Sequence, residues 1–166
     1  MPTPFLSSEE YDERAHQLYN EGQYDEALSV LREGITLYPT SVELHIGVGY
    51  ARLAREEFAW ARRSFEEALV LEPEHEDALA GLGETLLNCY KLAAAELNAA
   101  NGIGGRQVEL FIEDNQTTTK GSIDKARKLI NEDKVDVVIG TIISPERSAT
   151  LSVTSKAKKL FFYPTN

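Results

Sequence analysis

The sequence predicts an α + α/β chain: antiparallel helix pairs first, then a partial three-layer α/β lobe with a short parallel sheet. Three observations lead there. The first half repeats with a period of 34 residues. After Tyr90 the pattern changes to alternating helical and strand-like stretches, the mark of a parallel sheet with helical crossovers. Between the two, Glu76–Asn101 carries apolar residues at Leu79, Leu82, Leu86, Tyr90, Ala94, Leu97 and Ala100, one helical stripe without a proline. The expected domains are residues 1–87 and 88–166, sharing a helix over about 76–100.

Charge separates the same halves. Residues 1–87 have 18 acidic and 6 basic side chains, a net of −12, whereas residues 88–166 have a net of +2. The first 90 residues use arginine and no lysine, and the rest favour lysine. The total of −10 argues against nucleic acid as a partner. One cysteine, Cys89, excludes an internal disulfide and fits a reducing compartment. The start, MPTPFLSSEEYDER, has no basic stretch or apolar run of a signal peptide, and no segment reaches the roughly 18 apolar residues of a membrane span. The expectation is a cytoplasmic chain with no membrane contact.

The elements follow in order. Ser7 with Glu10 reads as a capping box, with Leu6 and Tyr11 as a staple, so a helix is expected at 8–21. Helices at 24–37, 42–55 and 58–71 follow; Thr40 with Glu43 reads as a second box, and Pro39 and Pro73 end the pairs. A single helix is expected over Glu76–Ala100. The alternative is a turn near Cys89–Lys91, with Leu92–Ala100 folding back, but Tyr90 stands where the other turns have Gly22 and Glu56. One shared helix would leave no flexible tether between the halves. Asn101–Arg106 (NGIGGR) reads as a helix C-cap turn. Strands are expected at Gln107–Glu113, Val135–Ile143 and Lys159–Tyr163. Helices are expected at Thr118–Asp133 and Ser144–Lys158, with Ser144 as N-cap and Pro145 in the first turn.

Two resemblances carry the functional reading. EGQYDEALSVLREGITLYP lies over EEFAWARRSFEEALVLEP at the 34-residue step, and Ala15, Gly49 and Gly83 keep that step between them. Residues 8–87 thus resemble tetratricopeptide repeats: two full repeats and the first helix of a third. The resemblance implies a concave groove that binds protein or peptide, through Asp12, His16, Tyr19, Asn20, Ile46, Tyr50, Leu53 and Glu84, with Ala54, Ala80 and Leu87 alongside. For Tyr50 and Leu53, packing between repeats is the competing role. Asp12 and His16 stand where carboxylate-clamping members have Lys, Arg and Asn, so a basic or apolar partner is expected rather than an acidic tail.

KLAAAELNAANGIGGRQVELFIEDNQ, KARKLINEDKVDVVIGTIISPERSAT and LFFYPTN resemble the start of the type I periplasmic solute-binding proteins, nearest to their branched-chain amino acid and amide/urea branch. That resemblance implies ligand-binding roles for Ser144, Tyr163 and Thr165, with Ser144 as a plain helix cap the competing role. It also implies a fragment, because helical repeats occupy the place of the family's central first strand.

No catalytic or cofactor motif emerges. The glycines of NGIGGR follow a helix and precede a strand, the reverse of a dinucleotide fingerprint. His16, His45 and His75 lack metal-ligand spacing, and Cys89 has no nearby histidine in sequence and reads as a small buried residue. The expected function is a non-enzymatic interaction module fused to an incomplete solute-binding lobe. The alternative is a protein that binds or senses an amide, urea or branched-chain amino acid.

Overall fold

The computed structural model describes residues 6–116 and 118–163. The chain divides into two compact units, Met1–Glu96 and Leu97–Asn166.

The first unit is built from antiparallel helices: α1 (Ser8–Asn20), α2 (Tyr24–Leu37), α3 (Val42–Ala54), α4 (Phe58–Leu71) and most of α5 (Glu76–Ala99). At α1 the capping box forms as read. Glu10 N–H donates to Ser7 Oγ at 3.2 Å and Ser7 N–H to Glu10 Oε2 at 2.7 Å. The second box does not form. Ser41, not Thr40, caps α3, and its hydroxyl donates to the Glu43 carboxylate at 3.1 Å instead of accepting a backbone N–H. The helix starts one residue later than the box requires.

The turns after α1 and α3 repeat each other. Gly22 and Glu56 both take positive φ, 76° and 58°. Each turn closes with matched bonds: Gln23 N–H to Leu18 O and Glu57 N–H to Arg52 O, both at 2.9 Å. A glutamate in the left-handed region carries strain that glycine avoids. At Tyr90, the third position of that series, the chain stays helical, and α5 runs 24 residues without a break.

The core begins with Tyr11, Ala15, Leu28, Leu31, Leu44, Val48 and Ala51 from α1, α2 and α3. Phe65, fully buried, continues it. A β-carbon at Gly49 would lie 2.6 Å from the Phe65 ring, and one at Gly81 only 2.3 Å. Tyr50 meets the same ring edge-on at 5.0 Å. The lack of a side chain at Gly49 on α3 and at Gly81 on α5 is what lets this phenyl ring fill the space beside them. On α3 and α4, the Arg52 guanidinium lies over the exposed Trp60 ring, 4.9 Å from its centroid. Cys89 is half-buried rather than buried.

The second unit starts in the last turn of α5. That helix ends in a left-handed turn: Asn101 and Gly102 have φ of 74° and 72°, and Gly102 N–H reaches back to Leu97 O at 2.7 Å. Next come α6 (Thr119–Asn131), β1 (Val137–Ile139), α7 (Ser144–Lys156) and β2 (Leu160–Phe162). The two strands are parallel, with Val137, Val138 and Ile139 opposite Leu160, Phe161 and Phe162, and Gly140 N–H adds a bond to Phe162 O at 3.0 Å. Helices α6 and α7 pack together; Ser122 and Ala126 on the first and Ala149, Thr150 and Thr154 on the second are buried.

Two expectations for this unit are corrected. Gln107–Glu113 forms no strand: the chain runs without a bend, but no described segment supplies a ladder beside it, and β1 pairs only with β2. Ser144 is not the N-cap of α7. Ile143 takes that place and Ser144 is the first helical residue, so its hydroxyl caps nothing. Among the described residues no helix is long and apolar enough to cross a membrane.

Candidate peptide-binding groove

Helices α1 and α3 begin pairs and α5 holds the same place in the third repeat; these helices carry aromatic and acidic side chains. Tyr19 on α1 stacks at a tilt on Tyr24, with ring centroids 5.3 Å apart. Tyr50 on α3 donates its hydroxyl to the Asp77 carbonyl of α5 at 3.2 Å. Burial pushes both phenols above their ordinary range. Tyr24 and Glu84 add to the rise at Tyr19, and Asp77, Glu84 and Tyr19 add to it at Tyr50. Tyr19, Tyr50 and Glu84 therefore stand within electrostatic reach of one another, and the charged groups acting on the two tyrosines are acidic.

Helix α1 carries further polar side chains. Asp12 is half-buried. Burial raises its carboxyl, Glu43 and Glu13 add to the rise, and His16 partly offsets it. Asp12, Glu13, His16, Gln17, Asn20 and Glu21 line an open pocket of about 520 Å³. Of the residues expected in the groove, His16, Asn20 and Glu84 are exposed, and Asp12, Tyr19 and Tyr50 are partly so. Ile46 and Leu53 are only 8 % and 9 % exposed, so they pack within the helical stack instead of offering groove surface.

In the second unit, Ser144 opens α7 and Tyr163 follows β2. Arg147, one turn along α7, lies over the Tyr163 ring at 4.6 Å and so links the start of that helix to the end of the strand. Buried Glu146 accepts a hydrogen bond from Asn115 Nδ2 at 2.9 Å, and Asn115 also donates to Ser122 Oγ at 2.8 Å. Sequence reading named Ser144 and Tyr163 but missed Arg147, Glu146 and Asn115. An arginine three residues into a helix looks like ordinary surface until the fold sets it on a tyrosine. Thr165 lies outside the described residues. Among the described residues no group of three or more His, Cys, Asp and Glu side chains is arranged to hold a metal ion.

Comparison with known proteins divides along the chain. Residues 77–166 match the Periplasmic binding protein family, and residues 8–53 match the Tetratricopeptide repeat. An amino acid binding protein of Pseudomonas aeruginosa is 33 % identical over 70 residues, covering 42 % of this chain and 19 % of that protein. The chain thus spans about a fifth of that relative. Human IFIT1, solved as a dimer with PPP-AAAA, superposes on 92 % of this chain and 34 % of its own with a TM-score of 0.50 at 17 % identity, a likeness of fold alone.

Proposed function

The chain belongs to the periplasmic binding protein family through residues 77–166, and from that premise and its tetratricopeptide-type repeats we propose a non-enzymatic protein-interaction module carrying an incomplete solute-binding lobe. The reading assigns the interaction to residues 1–87 and the lobe to 88–166, with α5 shared between them. The observation that supports it most is the placement of Tyr19, Tyr50 and Glu84 on α1, α3 and α5, with the Tyr50 hydroxyl donating to the Asp77 carbonyl of α5. Aromatic faces attract a guanidinium or ammonium group by about 0.5–2 kcal/mol, and Glu84 and Asp77 add charge of the right sign. No lysine occurs before Lys91.

The partner in this reading is a peptide or helix that presents Lys, Arg or apolar side chains, with Asp12, His16 and Asn20 engaging its far end. Fluorescence anisotropy with labelled peptides tests it. An arginine-rich peptide binds, and Glu84→Lys weakens it at least about tenfold, equivalent to about 1.4 kcal/mol. Equal or tighter binding of an acidic EEVD-type tail sinks the proposal.

A second reading rests on the Arg147–Tyr163 stack at the N-terminus of α7. Free N–H groups at a helix start, together with an arginine and a Ser hydroxyl, suit a carboxylate or an amide oxygen. In this reading the lobe is a fragment of a transporter-type binding protein for an amino acid, amide or urea, with Ser144, Tyr163 and Thr165 as contacts. Thermal shift with leucine, acetamide and urea separates the two readings. A ligand at 100 times its Kd stabilises the folded chain by about 2.7 kcal/mol, and no shift at millimolar ligand removes the second reading.

A further inference from the structure

The segment from Gln107 to Asp114 belongs to no sheet. It runs without a bend, and Leu110, Phe111 and Ile112 are 40 %, 42 % and 57 % exposed. In an extended chain, successive residues turn their N–H and C=O groups to opposite edges. One edge is engaged at Arg106 and Val108. Val108 N–H donates to Asn98 Oδ1 at 2.6 Å, Val108 O accepts from Asn98 Nδ2 at 2.9 Å, and Arg106 exchanges both backbone bonds with Ile103. On the other edge, the backbone groups of Gln107, Glu109, Phe111 and Glu113 have no partner among the described residues. Glu113 is held by its side chain alone, which accepts from Lys125 Nζ at 2.7 Å and from Lys128. Such an edge is a template for a further strand.

We propose that the occupant of this edge is the same segment of a second copy, paired antiparallel about a two-fold axis at Leu110. Charge and pattern select the register. With Leu110 opposite Leu110, Glu109 faces Phe111, Gln107 faces Glu113 and Arg106 faces Asp114. No like charges meet, and unlike charges meet at both ends. Val108, Leu110 and Ile112 of one copy then lie beside Ile112, Leu110 and Val108 of the other as one apolar stripe. The hydrogen-bonded pairs are the odd-numbered residues, whose edge is free, and the Asn98 bonds to Val108 survive. Moving the axis by one residue along the strand sets Glu109 against Glu113 or against another Glu109. A two-fold contact of this kind closes on itself and stops at the dimer.

Sedimentation of the full chain tests the association, and cysteine pairing tests the register. The expected result is a weak, concentration-dependent dimer. Phe111→Pro removes a backbone donor unused in the monomer, and it is expected to abolish the dimer while leaving the helical content unchanged. In a Cys89→Ser background, Leu110→Cys is expected to form an intermolecular disulfide under mild oxidation, because opposed residues here stand about 4.5 Å apart at Cα. Val108→Cys and Ile112→Cys are each expected to stay single and to cross-link only when mixed. A chain that stays monomeric at the highest attainable concentration overturns the proposal. So does a dimer unaffected by Phe111→Pro, or Ile112→Cys that cross-links alone as readily as Leu110→Cys. Strand addition by an unrelated peptide to a chain that never self-associates overturns it as well.

Discussion

The two units bury different things. In the first, Phe65, Leu31 and Leu44 are almost wholly enclosed, and each lies against neighbouring helices in the stack. In the second, the buried apolar residues among those described are Ala126, Val138 and Ala149, and the rest of its interior is Ser122, Glu146, Thr150 and Thr154. Its larger apolar side chains, including Ile139, Leu160 and Phe162, face outward. The difference follows from contact range. A helical repeat completes its core with the next helix in sequence, so a short array is sufficient. A parallel sheet needs covered faces and paired strands drawn from far along the chain. Here two strands of three residues each leave most of that surface open.

The contrast is sharpest for aromatic truncation. Phe65→Ala is expected to cost about 3–5 kcal/mol, whereas Phe162→Ala, on the exposed strand, is expected to cost under about 0.5 kcal/mol. Urea unfolding followed by far-UV circular dichroism measures both, and comparable losses would break the comparison. Gly81→Ala comes next. Its added methyl would overlap the Phe65 ring, with an expected cost of about 1–3 kcal/mol from overpacking. Glu56→Gly acts in the opposite direction: it relieves the left-handed strain that Gly22 avoids in the matching turn, with an expected gain of about 1 kcal/mol in the same assay.

The smallest effect is a pH dependence. The Asp12 carboxyl is raised in the folded chain, chiefly by burial, so its ionisation opposes folding. That destabilisation is full above its raised folded value and vanishes below the ordinary carboxylate range, where the group is protonated in both states. Asp12→Asn is therefore expected to raise Tm at neutral pH and to leave it unchanged in acid. An equal Tm shift at both pH values would show packing instead of charge.

What the sequence made legible follows the same division. The helices at 24–37 and 58–71 appear with their expected bounds, because the 34-residue period fixes turn, apolar face and stop together. The helix expected over 76–100 runs Glu76–Ala99 because no residue near Tyr90 breaks it. Local cap chemistry was less certain. Ser7 behaves as read, but Ser41 displaces Thr40, and Ile143 displaces Ser144. The strand at Gln107–Glu113 was misread because alternation describes a side-chain pattern, and a ladder also needs a neighbour that no local window contains. Among the residues expected in the groove, Tyr19, Tyr50 and Glu84 lie on α1, α3 and α5, where the repeat spacing puts them. Ile46 and Leu53, on the same α3, turn inward. Nothing in the sequence near Arg147 announces Tyr163 as its neighbour.

The Arg52–Trp60 stack has an optical consequence. Trp60 is the single tryptophan of the chain, and it stands on α4 with the Arg52 cation of α3 over its ring. Indole emission therefore reports whether those two helices of the first unit remain packed. A melt followed by tryptophan fluorescence and a melt followed by backbone ellipticity will diverge if the two units unfold separately. The gap between the two curves is a label-free measure of the lobe, in a chain whose emission comes from the other unit.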